Sequence, residues 1–287
     1  MQFENYPIST QTLIISTNIT IDCQAFYDSV QCIDCMKRST GKTRMIVADT
    51  DETIPDGSFV FIQYKNNYKG TLFKKVSGKY FLNSVTVIMK THSKFINLKV
   101  SNKGKIQITG CNQTEYAIAI LKHFWTHISS TPLWTYHEGC THFQATVIPV
   151  MCNINFSIDF QINREILNTI VNTETSHISI LEPSDGYVGV NIKIAAKEEP
   201  LEKILVDQYS FINKEWVVSK TNFIKYIESL SPKEQKKKMA KCYVNTFLVF
   251  YSGKVIMSGG ISFANRKKAY ELFMDIIQNN REKIIAQ

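Results

Sequence analysis

Thr246 to Gly259 reads TFLVFYSGKVIMSG, and about half a chain earlier Asn97 to Gly110 reads NLKVSNKGKIQITG. Each stretch has an alternating apolar run, a Gly-Lys turn and a second alternating run closing on a hydroxyl residue and a glycine. Period-two alternation buries one face of a strand, and a glycine-bearing break between two such runs marks a hairpin. A helix-period pattern follows each copy: Ala117, Ile118, Leu121, Phe124, Trp125 and Ile128 after the first, and Ala269, Leu272, Phe273, Ile276 and Ile277 after the second. A hairpin-and-helix unit used twice at half the chain length predicts a duplicated half-domain.

Working outward, the same order precedes each copy. Ile8 to Ile21 and Phe143 to Phe160 alternate as strands; Asp22 and Asn163 then cap helices carrying Ala25, Phe26, Val30 and Ile33, and Ile166, Leu167, Ile170 and Val171. Further strands are predicted at Phe59 to Tyr64, near Thr71 to Lys75, at Tyr80 to Lys90, at His177 to Leu181 and at Tyr187 to Ala195. Asn112-Gln-Thr-Glu115 has the capping-box pattern for the middle helix, and Ser262 opens the last one. The expected organisation is a first repeat over 1–130 with an insertion at about 38–78, a linker over 131–142, and a second repeat over 143–287 with an insertion at about 196–243. That second insertion carries a helix-like segment, Thr221 to Leu230, and the lysine run SPKEQKKKMAK. The class is α+β: helices on one face of an antiparallel sheet leave the other face bare, and function is sought there.

The 287 residues are 44% hydrophobic, which excludes a disordered chain, and the formal charge of +8 with a pI near 9.0 suits an acidic partner. No apolar run approaches the roughly 18 residues of a membrane span. The first residues, MQFENYPIST, lack the basic-then-apolar plan of a secretory leader. An intracellular protein without a membrane partner is expected. Seven scattered cysteines fit free thiols, so the sequons at Asn18, Asn112 and Asn155 read as chance matches.

Leu248-Val-Phe-Tyr-Ser-Gly-Lys-Val-Ile-Met-Ser-Gly259 resembles the second-repeat hairpin of the TATA-box-binding protein family, L-I-F-V-S-G-K-x-V-L-T-G-A. Gly104-Lys-Ile-Gln-Ile-Thr-Gly110 is similar to its first-repeat partner, Val87-Ile-Met-Lys90 to the upstream V-I-M-R strand, and Glu182-Pro183 with Tyr187-Val-Gly189 to the E-P-E-L-F-P-G stirrup. The likeness extends, in order, through both halves, and is nearest to the diverged TATA-binding-protein-like proteins of large DNA viruses. It implies a saddle of pseudo-twofold halves, a curved antiparallel sheet with helices on its convex side and DNA beneath. It further implies aromatic wedges at Tyr187 and Phe250, a DNA-facing row of Leu248, Phe250, Lys254, Ile256 and Ser258, and a first-half row of Lys105, Gln107 and Thr109. The family's two central asparagines fall near Thr10 and Met151, with Thr12, Asn153 and Asn155 as polar neighbours. In the first half the wedge positions fall on Ser84 and Ser101, and Phe81 is the nearest aromatic. Serine cannot wedge a base step open, a departure that bears on a two-ended kink and leaves the fold untouched.

Other motifs have plainer readings. Ser39-Thr-Gly-Lys-Thr43 lacks the upstream glycine of a phosphate loop, since Met36 stands there. Cys32 and Cys35 have metal or redox spacing, but no second pair accompanies them and they fall on the predicted first helix. His123 and His127, one helical turn apart with His137, Cys140 and His142 beyond, read as a solvated helix edge before a linker. The lysine run reads as a solvated helix face, with extra phosphate contact or docking to the transcription machinery as its alternative. No nucleophile elbow or HExxH helix is present, so no catalytic, metal or cofactor site is expected.

By resemblance, the expected function is a non-enzymatic transcription initiation factor. It would bind the A·T-rich minor groove of duplex DNA as a monomer and recruit a factor-IIB-like protein and RNA polymerase through Glu182, Pro183 and Gly189. A nucleus or, for a viral protein, a cytoplasmic viral factory is the implied location. A scaffold that kept the fold but lost DNA binding is the rival, and an enzyme bearing a saddle-shaped accessory domain ranks last.

Overall fold

The computed structural model describes residues 2–38, 44–46, 53–73, 80–92, 94–181, 189–195, 200–240 and 244–286. In chain order the first half holds β1 (Ile8–Thr17), β2 (Ile19–Ile21), α1 (Cys23–Ser29), β3 (Met36–Arg38), β4 (Arg44–Ile46), β5 (Phe59–Tyr64), β6 (Asn67–Gly70), β7 (Ser84–Thr91), β8 (Lys94–Ser101), β9 (Lys105–Cys111) and α2 (Glu115–Ile128). After β10 (Trp134–Tyr136) come β11 (Phe143–Ser157), α3 (Arg164–Glu174), β12 (Ile178–Ile180), β13 (Gly189–Ala195), β14 (Leu205–Ile212), β15 (Glu215–Asn222), α4 (Phe223–Glu228), α5 (Pro232–Met239), β16 (Val244–Phe250), β17 (Lys254–Gly259), α6 (Phe263–Asn279) and α7 (Arg281–Ile284).

The chain forms two compact units: Met1–Gln11, Pro149–Leu205 and Thr221–Gln287 make one, and Thr12–Ile148 with Val206–Lys220 make the other. The first unit orders its strands β12-β13-β16-β17-β11-β1, and α3 and α6 cover the buried face. Its core stacks Phe247 on Phe273, with centroids 4.3 Å apart and planes 5° from parallel. The second unit orders β1-β9-β8-β7-β5-β6, adds the β14–β15 hairpin to β11, and packs α1 and α2 on its buried face. There Trp125 stacks on Phe143 at 3.9 Å.

Within each unit the repeated segments make the same backbone contacts. Gly104 N donates to Ser101 O at 3.1 Å, and Gly253 N donates to Phe250 O at 3.0 Å. The carbonyls of those two glycines accept from the backbone N of Thr17 and Ile158, and Ile21 N to Asn102 O matches Ile162 N to Tyr251 O, both 2.9 Å. Next in the chain, Asp22 accepts from Gln24 N and Ala25 N, and Asn163 accepts from Ile166 N, each capping a helix. Both turn glycines have positive φ, +66° and +79°, and a Cβ at Gly104 would strike Ile19 O, at Gly253 Phe160 O. The TBP-like α+β fold expected from the hairpins is therefore the fold of the chain, half by half.

Several local expectations are corrected. Helix α2 begins at Glu115 with Thr114 as its N-cap and no side-chain cap bond, so Asn112 does not open a capping box. Helix α1 ends at Ser29, which leaves Cys32 and Cys35 beyond it, with Cys35 buried beside Ile54 and Val60. The strand expected at Thr71 forms earlier, as β6, and Lys74 and Lys75 lie outside the described residues. The linker stretch contains β10, whose Trp134 pairs with Ile21 of β2. Ile33 and Ile166, expected on buried helix faces, are exposed.

Candidate nucleic-acid interface

Strand alternation divides β16 and β17 cleanly. Asn245, Phe247, Val249, Val255 and Met257 are buried beneath the helices, while Thr246, Leu248, Phe250, Lys254, Ile256 and Ser258 lie on the other face, half-buried or exposed. Pairing arranges that face in rows. Asn191, Leu248, Ile256 and Asn155 lie side by side across four strands, as do Lys193, Thr246, Ser258 and Asn153. At the end of the sheet Gly189 pairs with Phe250, and Ser157 with Lys254.

The chemistry of these rows is apolar in the centre and hydrogen-bonding beside it. Ser258 Oγ donates to Asn153 Oδ1 at 2.8 Å, which fixes the amide and leaves its Nδ2 hydrogens as donors. Phe250, Lys254 and Ile256 border a shallow, mostly apolar hollow of about 820 Å3. No carboxylate belongs to either row, and among the described residues the ion pairs lie elsewhere, joining Lys267 to Glu4, Lys268 to Glu271 and Lys283 to Glu174. Lys193 and Lys254 are exposed cations.

The corresponding face of the second unit is mixed: one row is polar, the next carries Phe61 and Ile88, and Ile88 and Phe95 pack against the Cys35, Ile54 and Val60 cluster. Gln63, Thr86, Lys99 and Gln107 form one row and Phe61, Ile88, Asn97 and Thr109 the next. Lys105, Gln107 and Thr109 thus lie opposite buried Ile106 and Ile108, and Lys105 N donates to Ser101 Oγ at 3.1 Å. Ser84 and Ser101 are direct partners across β7 and β8. Where Leu248, Phe250 and Ile256 stand in one unit, Lys99, Ser101 and Gln107 stand in the other. On β1, Thr10 and Thr12 are half-buried, alternating with buried Gln11 and Leu13.

Gly189 is buried, and a Cβ there would meet Leu248 Cδ1 at 2.7 Å, so the glycine makes room for the leucine. Glu182, Pro183 and Tyr187 lie outside the described residues, as does the Ser39–Thr43 stretch. His127 and His137 are exposed, as expected of a solvated edge, while His123 and His142 are half-buried; His127 Nε2 also lies 3.0 Å from Gly57 O and its ring 4.5 Å from Phe59, which ties the helix edge to the loop before β5. Burial, chiefly, holds the His123 pKa below its ordinary value. Among the described residues no group of three or more His, Cys, Asp or Glu side chains could hold a metal, and no helix is long and apolar enough to cross a membrane. Thr246 and Lys193 join the interface unannounced; the alternation that exposes Leu248 and Ser258 was their available signal.

Among the described residues these strand rows hold no carboxylate, with an aromatic at the sheet end and a helix-covered core behind them. Comparisons find similar proteins among viruses. The chain is 30% identical over 142 residues to the "TATA-box-binding protein-like" protein of Acanthamoeba polyphaga mimivirus, covering 42% of this chain and 39% of that one. It is 28% identical over 204 residues to "Uncharacterized protein 335L" of Invertebrate iridescent virus 6, covering 68% of this chain and 60% of that one. The chain therefore spans less than two thirds of either viral relative. A solved structure, the TBP of Methanococcus jannaschii, aligns over 95% of this chain and 98% of its own at 13% identity with a TM-score of 0.47. No family model matches. This chain resembles the TATA-box-binding protein family and, within it, the TATA-binding-protein-like proteins of large DNA viruses.

Proposed function

We propose that the protein is a non-enzymatic, duplex-DNA-binding transcription initiation factor that uses the helix-free faces of its two units. The observation that carries the reading is the Leu248–Ile256 and Ser258–Asn153 rows flanked by Phe250 and Lys254. The minor groove of A·T pairs offers acceptors and no donor, and the Asn153 amide supplies donors in the row beside the apolar Leu248 and Ile256. Phe250, at the sheet end, has the place and shape to enter a base step, as the family does in the handling of DNA that defines it. Lys254, Lys105 and Lys193 supply phosphate contacts. The repeats at 1–130 and 143–287 are proposed to act together on one duplex, as a monomer. The segment around Glu182, Pro183 and Gly189 is proposed to meet a factor-IIB-like partner of RNA polymerase inside the cell, in a nucleus or a viral factory.

The serine pair Ser84 and Ser101 favours a second reading, a scaffold without duplex affinity. Titration of A·T-rich and G·C-rich duplexes at two salt concentrations separates them. The DNA-binding reading expects A·T preference and an affinity that falls steeply with salt; salt-insensitive or absent binding leaves the scaffold.

A further inference from the structure

At the outer end of the second unit's open face, β5, β7 and β8 border a hollow of about 300 Å3 lined by Gln63, Lys65, Tyr80, Phe81, Thr86 and Lys99, among others. Its size is at the lower end of the ~300–1,000 Å3 range of sites that enclose small molecules. Register sets Gln63, Thr86 and Lys99 side by side on one face. Phe81 is 59% exposed and Tyr80 41%, an unusual display of two neighbouring rings. Lys99 Nζ stands 4.2 Å from the Phe81 centroid, holding the ring and the cation together. Gln63 Nε2 donates to Lys65 O at 3.1 Å, which orients the amide and leaves Oε1 as an acceptor. Among the described residues no carboxylate lines the hollow, and neither Lys65 nor Lys99 is ion-paired.

We propose that this hollow binds one unpaired nucleotide of a DNA strand, with the base stacked on Phe81, its edge met by Gln63 and Thr86, and its phosphate held between Lys65 and Lys99. The inference rests on the DNA-binding reading and deepens it. A base inside a duplex has both faces covered by its neighbours, so an aromatic wall beside a cationic hollow suits a base that has left the stack. The serines at 84 and 101 fit this arrangement, since they keep the approach to the hollow free of bulk.

Three DNAs test it by anisotropy and 2-aminopurine fluorescence: a perfect A·T-rich duplex, the same duplex with one unpaired 2-aminopurine, and a short single strand carrying that base. The unpaired base is expected to tighten binding about 5- to 150-fold, as one stacked base does elsewhere, and to be quenched on binding. Phe81→Ala should erase the gain and the quenching while the perfect duplex binds as before, and Phe81→Trp should restore them. A gain that survives Phe81→Ala, or a duplex bound equally with and without the unpaired base, overturns the proposal. So does free dAMP binding as tightly as the strand, because it would make the hollow a mononucleotide site. If the perfect duplex is not bound but the single strand is bound and quenched through Phe81, the duplex reading fails and this one stands.

Discussion

Phe247→Ala and Phe250→Ala, three residues apart on β16, should have opposite consequences. Phe247 is fully buried and stacked on Phe273 at 4.3 Å. Truncating such a ring removes its transfer energy and leaves a cavity, a loss of about 3–5 kcal/mol in stability. Phe250 is half-buried beside an open hollow, so solvent can fill the space it leaves. Its loss should cost about 1 kcal/mol, a fraction of full-burial transfer. In duplex affinity the order reverses. An aromatic that unstacks and then covers a base step is worth about 1–3 kcal/mol, so Phe250→Ala should weaken binding roughly 5- to 150-fold, whereas folded Phe247→Ala should bind almost as the parent does. Urea unfolding is best followed by circular dichroism, because Trp125, Trp134 and Trp216 all belong to the other unit. Affinity is read by anisotropy on an A·T-rich duplex at low salt. Equal destabilisation by the two variants would refute the open face, and an unchanged affinity for Phe250→Ala would refute the wedge.

Ser258→Ala removes the hydroxyl that orients the Asn153 amide, and should lower A·T-rich duplex affinity by about 0.5–1.5 kcal/mol with little change in melting temperature. Lys254→Met should reduce the magnitude of the slope of log affinity against log salt by about 1, uniformly across sequences; a sequence-dependent loss would give this lysine another role. Burial of His123, with His127 and His92 beside it and Asp56 opposing them, lowers its folded-state pKa below 6.5. The unfolded chain then binds more protons in the window just below pH 6.5, so stability is full above that pH and falls as pH drops through the folded-state value. Tryptophan fluorescence should show earlier urea unfolding at pH 5 than at pH 7.5, and His123→Gln should flatten part of that difference. His177, also lowered by burial in the first unit, contributes with the same sign and is a reason for reading the tryptophan-bearing unit alone.

How far the fold was legible follows from which side of the sheet a residue faces. Phe247, Val249, Val255 and Met257 repeat the periodicity of Leu98, Val100, Ile106 and Ile108, because each set must fill a core beneath a helix, so duplication could be read from either copy. Turn chemistry was legible only where the usual residue stood in place. Gly104 and Gly253 mark their hairpins, but Asn213-Lys214, both at positive φ, turns β14 into β15 without a glycine, so no turn residue of the usual kind marks that hairpin. Strand partners were invisible for a different reason. Alternation within one strand does not place Lys99 beside Thr86 and Gln63, or put that lysine over the Phe81 ring, since those neighbours are fixed by the register between strands.

The two faces diverge where the two cores do not. Both hairpins keep their turn, their glycine carbonyl contact and their buried alternation, so the exchange of Leu248, Phe250 and Ile256 for Lys99, Ser101 and Gln107 has no structural cause inside the core. A side chain on an uncovered face is constrained mainly by what lies against it. An identical ligand surface against both halves would select the same rows twice; the apolar, aromatic row and the cationic, amide-bearing row instead imply unlike surfaces. On the proposed reading a stacked duplex edge would answer the first and a displaced base with its phosphate the second, so that reading expects DNA with a local distortion to bind better than uniform duplex.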